Sequence, residues 1–480
     1  MNPQSIFFIF LCYTALLFFI TWLTARKSNT DSFYRGNKAS PWYVVAYGMI
    51  GASLSGVTFM SVPGWVKDTQ FSYMMVVFGY LAGYFVIAKI LLPLYYRLNL
   101  TSIYTYLDRR FGFCSYKTGS GFFIISRLIG ASFRMFLVIN VLQIFVFDSW
   151  HVPFYLTALI FIILIILYTF QGGIKTIIWT DTLQTTFMLL AVICSVVLIT
   201  RGLHLSFSAL ISKVLHSSYS RIMVCNWQDK RFYLKQFFSG AFITIAMTGL
   251  DQEMMQKNLS CRNLKEAQRN MFTFSGILIF VNLLFLLLGA VLVFFMQSKG
   301  IAVPALSDDI FPTIALKYLG PVAGVVFLVG LVSAVFPSAD GALTALTISF
   351  TIDIFDIKNR GYSDKKAKKV RYLIHIIFAA ILMGIIIFFK TINDQAVIDK
   401  LFTIAGYTYG PLLGLYSFGL FTHFRVKDKY VPFIAVLSPI ICYIISDNSV
   451  KWFNGYKFGF ELLILNGLLT FLGLYLIRKR

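Results

Sequence analysis

Apolar stretches of about 20 residues recur from one end of this 480-residue chain to the other, and that is the length a helix needs to cross the hydrocarbon core of a bilayer. A water-soluble chain of this size would divide into two or three domains and cover them with polar residues, yet 58% of the residues here are hydrophobic and only 13% are charged. The fold class is therefore an all-α polytopic membrane protein. Spanning helices are predicted near 5–25, 41–66, 73–95, 119–147, 152–170, 177–200, 234–254, 271–297, 319–350, 371–390, 399–422, 430–446 and 459–477, about 13 in all.

A formal charge of +22 would suggest nucleic acid in a soluble protein. Here the basic residues sit in short segments between apolar runs, where they orient the chain in the bilayer, so no nucleic-acid partner is expected. With the N-terminus outside, inner loops carry twice as many Lys and Arg residues as outer ones; the C-terminus is then inside. The first apolar run has no positive residue before it, and Arg26 and Lys27 follow it. That is the reverse of a secretory signal, and the run is expected to remain as a helix.

Cys12, Cys114, Cys194, Cys225, Cys261 and Cys442 are scattered without a CxxC, which argues against a disulfide framework or a zinc site. Asn99 and Asn258 match the glycosylation pattern but fall in predicted inner loops. No HExxH or GxSxG occurs, and His151, His204, His216, His375 and His423 lie apart, so an enzyme is not expected. The longest connection, 201–235, has room for one short surface helix. Residues 1–480 are read as a single transmembrane domain, multi-pass in the cell inner or plasma membrane, with lipid as its surroundings and a monomer as the functional unit.

Function must then lie where polar and helix-breaking residues interrupt the spans, because unwound backbone at that depth is tolerated only where it lines a protected cavity. The second span contains GMIGASLSGVTFMSVPGW (48–65), in which Ser53, Ser55 and Thr58 cluster among glycines. Close helix packing explains glycines alone; serines among them favour a discontinuous helix. The ninth contains SAVFPSADGALTALTISFTID (333–353). There Ala334, Pro337 and Ser338 share a face, while Asp340 lies about 200° round from Ser338. Pro337 has no N–H for the carbonyl of Ser333. That oxygen, beside a serine hydroxyl, suits a hard cation such as sodium, or the segment is a kink satisfied by neighbours. Asp181, near the start of the sixth span, is either a functional carboxylate or one paired with a basic residue. Arg134 either binds a substrate carboxylate through its fork or pairs with Asp181 or Asp340.

Four segments, ARKSNTDSFYRGNKASPWYV (25–44), GGIKTIIWTDTLQ (172–184), DQEMMQKNLSCRNLKEAQR (251–269, an inner loop) and SADGALTALTISFTIDIF (338–355), together resemble the sodium:solute symporter family along nearly the whole chain. The resemblance implies the leucine-transporter-like architecture of five-plus-five inverted repeats. These would be helices two to eleven, about 41–422, with the first helix of each repeat unwound and helix 1 and helices 12–13 peripheral. It implies sodium as the co-transported ion, held at a main site by Gly51 and Leu54 of the second helix and Ala334, Pro337 and Ser338 of the ninth.

Pro337 stands where the family has a hydroxyl, and the carbonyl of Ser333 or a water is the expected substitute. Asp181 with Asp340 would form a second cation or proton site. The Glu-Gln pair of sugar-transporting relatives corresponds to Val57 and Thr58, and Arg134 matches an arginine that binds the carboxylate in sialic-acid-transporting ones. The implied function is a sodium-coupled symporter importing a small organic solute, a sugar, sialic acid, amino acid or carboxylate, by alternating access, with Ser53, Ser55, Thr58 and Arg134 toward the solute. The alternative is a transporter-like solute sensor. Such sensors usually append a signalling domain, and this chain ends three residues past its last predicted helix.

Overall fold

Within hydrocarbon a backbone can satisfy its own polar groups only by coiling, and the apolar runs do so almost without exception. The computed structural model describes residues 1–25, 40–100, 102–169, 174–357, 360–392 and 396–479; segment 26–39 and Gly172 with Gly173, parts of two of the resembling motifs, lie outside them. The helices that build the core are α1 Pro3–Ala25, α2 Trp42–Ser53, α3 Gly56–Thr69, α4 Tyr73–Arg97, α5 Phe113–Phe145, α6 Phe154–Thr169 and α7 Ile174–Gly202. They continue as α8 Tyr233–Thr244, α9 Gln252–Leu259, α10 Leu264–Lys299, α11 Pro321–Ser349, α12 Asp364–Ile392, α13 Val397–Phe421, α14 Val431–Asp447 and α15 Leu462–Leu476. Helical structure lies at each predicted span. Among the described residues, 8 helices are long and apolar enough to cross a membrane, and the bent pair α2–α3 makes a ninth.

The second predicted span is broken, as its serines suggested. α2 and α3 meet at 57°, with Leu54 and Ser55 in non-helical backbone between them. The seventh also gives way: a π-helical turn, Ile245–Gly249, ends α8, and Asp251 starts α9 by accepting the Met254 N–H at 3.1 Å. The expected inner loop here is instead a buried helix, residues 252–258 being shielded on every side. QEMMQKNL is too short and polar for its sequence to register as a span. Burial also removes Asn258, 0% exposed, from any glycosylation. The ninth span, in contrast, carries Pro337 inside a continuous helix.

Proline at 411 illustrates how such a residue is accommodated. It leaves the carbonyl of Tyr407 without its helical donor, and Asn466 of α15 supplies one, its Nδ2 donating to Tyr407 O at 2.8 Å and to Gly406 O at 3.0 Å. No side-chain donor among the described residues does the same for Ser333, whose own hydroxyl is engaged with Tyr13 of α1 at 2.5 Å. Close contact elsewhere depends on glycine: a Cβ at Gly79 would come within 2.0 Å of the Phe237 carbonyl, and one at Gly240 within 2.1 Å of the Val76 carbonyl, so α4 and α8 touch backbone to backbone.

In the connection between α10 and α11, Asp308 accepts the Val397 N–H at 2.8 Å, capping α13. Burial pushes its carboxyl up from 3.8 to about 6. A group raised in the fold stabilises it fully below its unfolded value and loses that contribution as pH rises through the folded one. The melting temperature in detergent is therefore expected to fall as pH rises from about 3.8 to about 6, by the equivalent of about 3 kcal/mol at 1.36 kcal/mol per unit. Asp308→Asn should flatten this slope, and an unchanged slope would assign it to other groups.

Candidate functional site

Breaking the second span turns backbone and small hydroxyls toward the interior. Ser53, Leu54, Ser55 and Thr58 line a cavity of about 80 Å³ at the break, and Arg134 of α5 lines it too. All four residues expected to face the solute thus share one cavity. The sequence reading missed the rest of its polar wall: Tyr73, Tyr80 and Tyr84 of α4, Thr244 and Thr248 at the end of α8, and Asn282 of α10. The tyrosines recur at steps of 7 and 4, one face of a helix, a signal present in the sequence. Tyr73 and Tyr80 join hydroxyls at 2.9 Å.

Arg127 and Arg134 lie seven residues apart on α5, two turns of one face, and both reach the cavity. Their surroundings differ. Arg127 is ion-paired with Glu253 and lies 3.6 Å from Asp251. Arg134 is 9% exposed, forms no ion pair among the described residues, and its Nε has no hydrogen-bond partner. The expected alternative of a structural pair with Asp181 or Asp340 is not what the structure holds. Its guanidinium faces a polar cavity without a salt bridge among the described residues, Asp251 acting on it only from longer range.

Of the residues expected at the main sodium site, Leu54 lies in the break itself and Gly51 in α2 just before it. A Cβ at Gly56 would meet the Val335 side chain at 2.4 Å, which puts the break against α11 one residue from Ala334. Gly51 packs against α7, where a Cβ would reach Thr185 Oγ1 at 2.2 Å and the Asp181 carbonyl at 3.4 Å. Ala334, Pro337 and Ser338 are buried, and the Ser338 hydroxyl has no hydrogen-bond partner.

The Asp181–Asp340 pair lies in a second polar centre assembled by α9. Lys257 donates to Asp181 Oδ2 at 2.7 Å and to Glu253 Oε1 at 3.3 Å. Asp340 accepts the Gly341 N–H and is within electrostatic range of Asp181 and Lys257. Gly341 gives Glu253 room, since a Cβ there would lie 2.2 Å from Oε1. Tyr409 of α13 donates to Asp251 Oδ2 at 3.1 Å. Asp181 is thus paired, but with Lys257, which the sequence reading did not single out. A Glu and a Lys at i, i+4 are visible in sequence; their burial is not.

Residues 33–427 match the model of the sodium:solute symporter family. Similar proteins include the sodium/sialic acid symporter SiaT of Proteus mirabilis, 24% identical over 85% of this chain and 82% of its own. Another is the sodium/sialic acid symporter NanT of Aliivibrio fischeri, 21% identical over 93% and 88%. The human sodium-coupled monocarboxylate transporter 1 is 22% identical over 83% of this chain and 65% of its own. Among solved structures, a sodium-coupled sialic acid symporter in a substrate-bound outward-open state superposes with a TM-score of 0.82 at 20% identity, covering 99% of this chain and 98% of that one. That likeness establishes a shared fold.

Proposed function

The chain belongs to the sodium:solute symporter family, and from that premise we propose that its solute is a small organic anion carrying a carboxylate. It is a multi-pass integral membrane protein, a sodium-coupled symporter and not an enzyme. Arg134 carries the choice of solute. A charge taken out of water is costly unless it gains a partner, and an unpaired guanidinium beside hydroxyls suits a carboxylate, which it binds through two parallel hydrogen bonds. Relatives named for sialic acid and for monocarboxylates agree with that class. Ser53, Ser55 and Thr58 would hydrogen-bond the remainder of the solute.

The main sodium site is assigned to the carbonyls of Gly51, Leu54 and Ala334 and the hydroxyl of Ser338, with the Ser333 carbonyl replacing the hydroxyl that Pro337 lacks. The contrast between two prolines supports this: the carbonyl freed at Pro411 has Asn466, whereas that freed at Pro337 has no side-chain donor. Sodium bound at the break orders the wall from which Ser53 and Ser55 project, so ion and solute each raise the other's affinity. The remaining architecture is proposed as thirteen spans in the cell inner or plasma membrane, N-terminus outside and C-terminus inside. Residues 1–480 form one domain, two inverted five-helix repeats cover about 41–422, and a monomer is the working unit.

The test is a thermal-shift panel of purified protein with sialic acids, monocarboxylates, amino acids, neutral sugars and vitamins, each in sodium and in potassium. A carboxylate that stabilises only in sodium is the expected result; a neutral sugar doing so would overturn the solute class. Ser338→Ala is expected to raise the sodium concentration for half-maximal stabilisation about tenfold, roughly the 1.4 kcal/mol of one ligand contact. An unchanged midpoint would remove Ser338 from the site.

A further inference from the structure

We propose that Lys257 is a tethered cation occupying the place of a second transported ion at the Asp181–Asp340 pair, so that this protein binds one sodium per chain. The inference rests on the main-site reading above. Lys257 Nζ sits 2.7 Å from Asp181 Oδ2 and 3.3 Å from Glu253 Oε1, with side-chain exposures of 1%, 0% and 1%. Lys257 holds Asp181 Oδ2 and leaves Oδ1 without a partner, so a mobile sodium there would bring its charge up against an ammonium that is already bonded and cannot diffuse away.

The tether decides the competition. A group held by its own chain is present at high effective concentration, and an ammonium is a compact point charge with donors suited to carboxylates. It is also held from below: Glu253 is one turn earlier on α9, and Arg127 is paired with that same carboxylate. Two basic side chains, Arg127 and Lys257, therefore bridge Asp181, Glu253 and Asp251. Asp340 faces this array with one oxygen, Oδ2, unpartnered. In such a centre the cation stays when the transport cycle empties, and the lysine fixes the charge that a second sodium would otherwise carry across.

Equilibrium binding of radioactive sodium to the purified full chain, counted per protein, tests this without knowledge of the solute. Wild type is expected to bind one sodium, Ser338→Ala to weaken that one, and Lys257→Ala to bind two. Lys257→Ala with Asp181→Asn, which removes both partners together, should fold and bind one. A wild-type count of two overturns the tethered-cation proposal while leaving the main site intact, and so does a folded Lys257→Ala that still binds one. A wild-type count of zero, or a Ser338→Ala protein that binds as wild type does, overturns the main-site reading instead. Should Lys257→Ala not fold, the wild-type count alone decides.

Discussion

Arg134→Ala is expected to abolish the response to carboxylates, with no member of the panel stabilising the variant in sodium at concentrations that saturate wild type. Losing one partner of a desolvated charge pair costs about 2–5 kcal/mol, roughly 30- to 4,000-fold in affinity. Sodium binding without solute should persist, because the ligands assigned to it lie on α2 and α11 rather than α5. Arg134→Lys keeps the charge but loses the planar fork, and should recover only part of the affinity. If Arg134→Ala responds like wild type, the cavity recognises something other than an anion.

Arg127→Gln should behave differently although it lies on the same face of the same helix. Arg127 neutralises Glu253 and faces Asp251, both within 1% of full burial, and removing one partner of such a pair strands charge in the interior at about 3–5 kcal/mol. The expected result is a large fall in melting temperature, or failure to purify as a monodisperse species, in sodium and in potassium alike. Glu253→Gln added to Arg127→Gln should restore part of the loss. A melting temperature within a degree or two of wild type would show that the network contributes nothing to folding.

The contrast between these arginines marks how far the sequence could be read. Each is a basic residue in an apolar run, and no local feature separates them; what does is α9, whose acids arrive beside Arg127 from 124 residues or more away. The spans were legible because hydrocarbon imposes a length and a composition that every window can be tested against. The break at Leu54–Ser55 was legible too, because glycines and serines together have no use at the centre of a plain helix. Pro337 was legible only in part: the sequence shows that it frees the Ser333 carbonyl, not that the helix runs on unbroken through it. Lys257 belonged to the unreadable part, since a lysine in a short polar stretch is ordinarily solvated, and only three-dimensional packing buries it at 1% exposure.

The amide of Asn466 also bears on motion. By bonding two carbonyls beside Pro411 it splints α13 at the point where a proline would otherwise let it flex, and Ser438 of α14 steadies that amide by donating to its oxygen at 2.7 Å. Bending α13 there must break two hydrogen bonds at once, so its two halves travel together and carry α14 and α15 as ballast. Among the described residues no side-chain donor bonds a carbonyl of the corner between α2 and α3, which is therefore the less splinted of the two places.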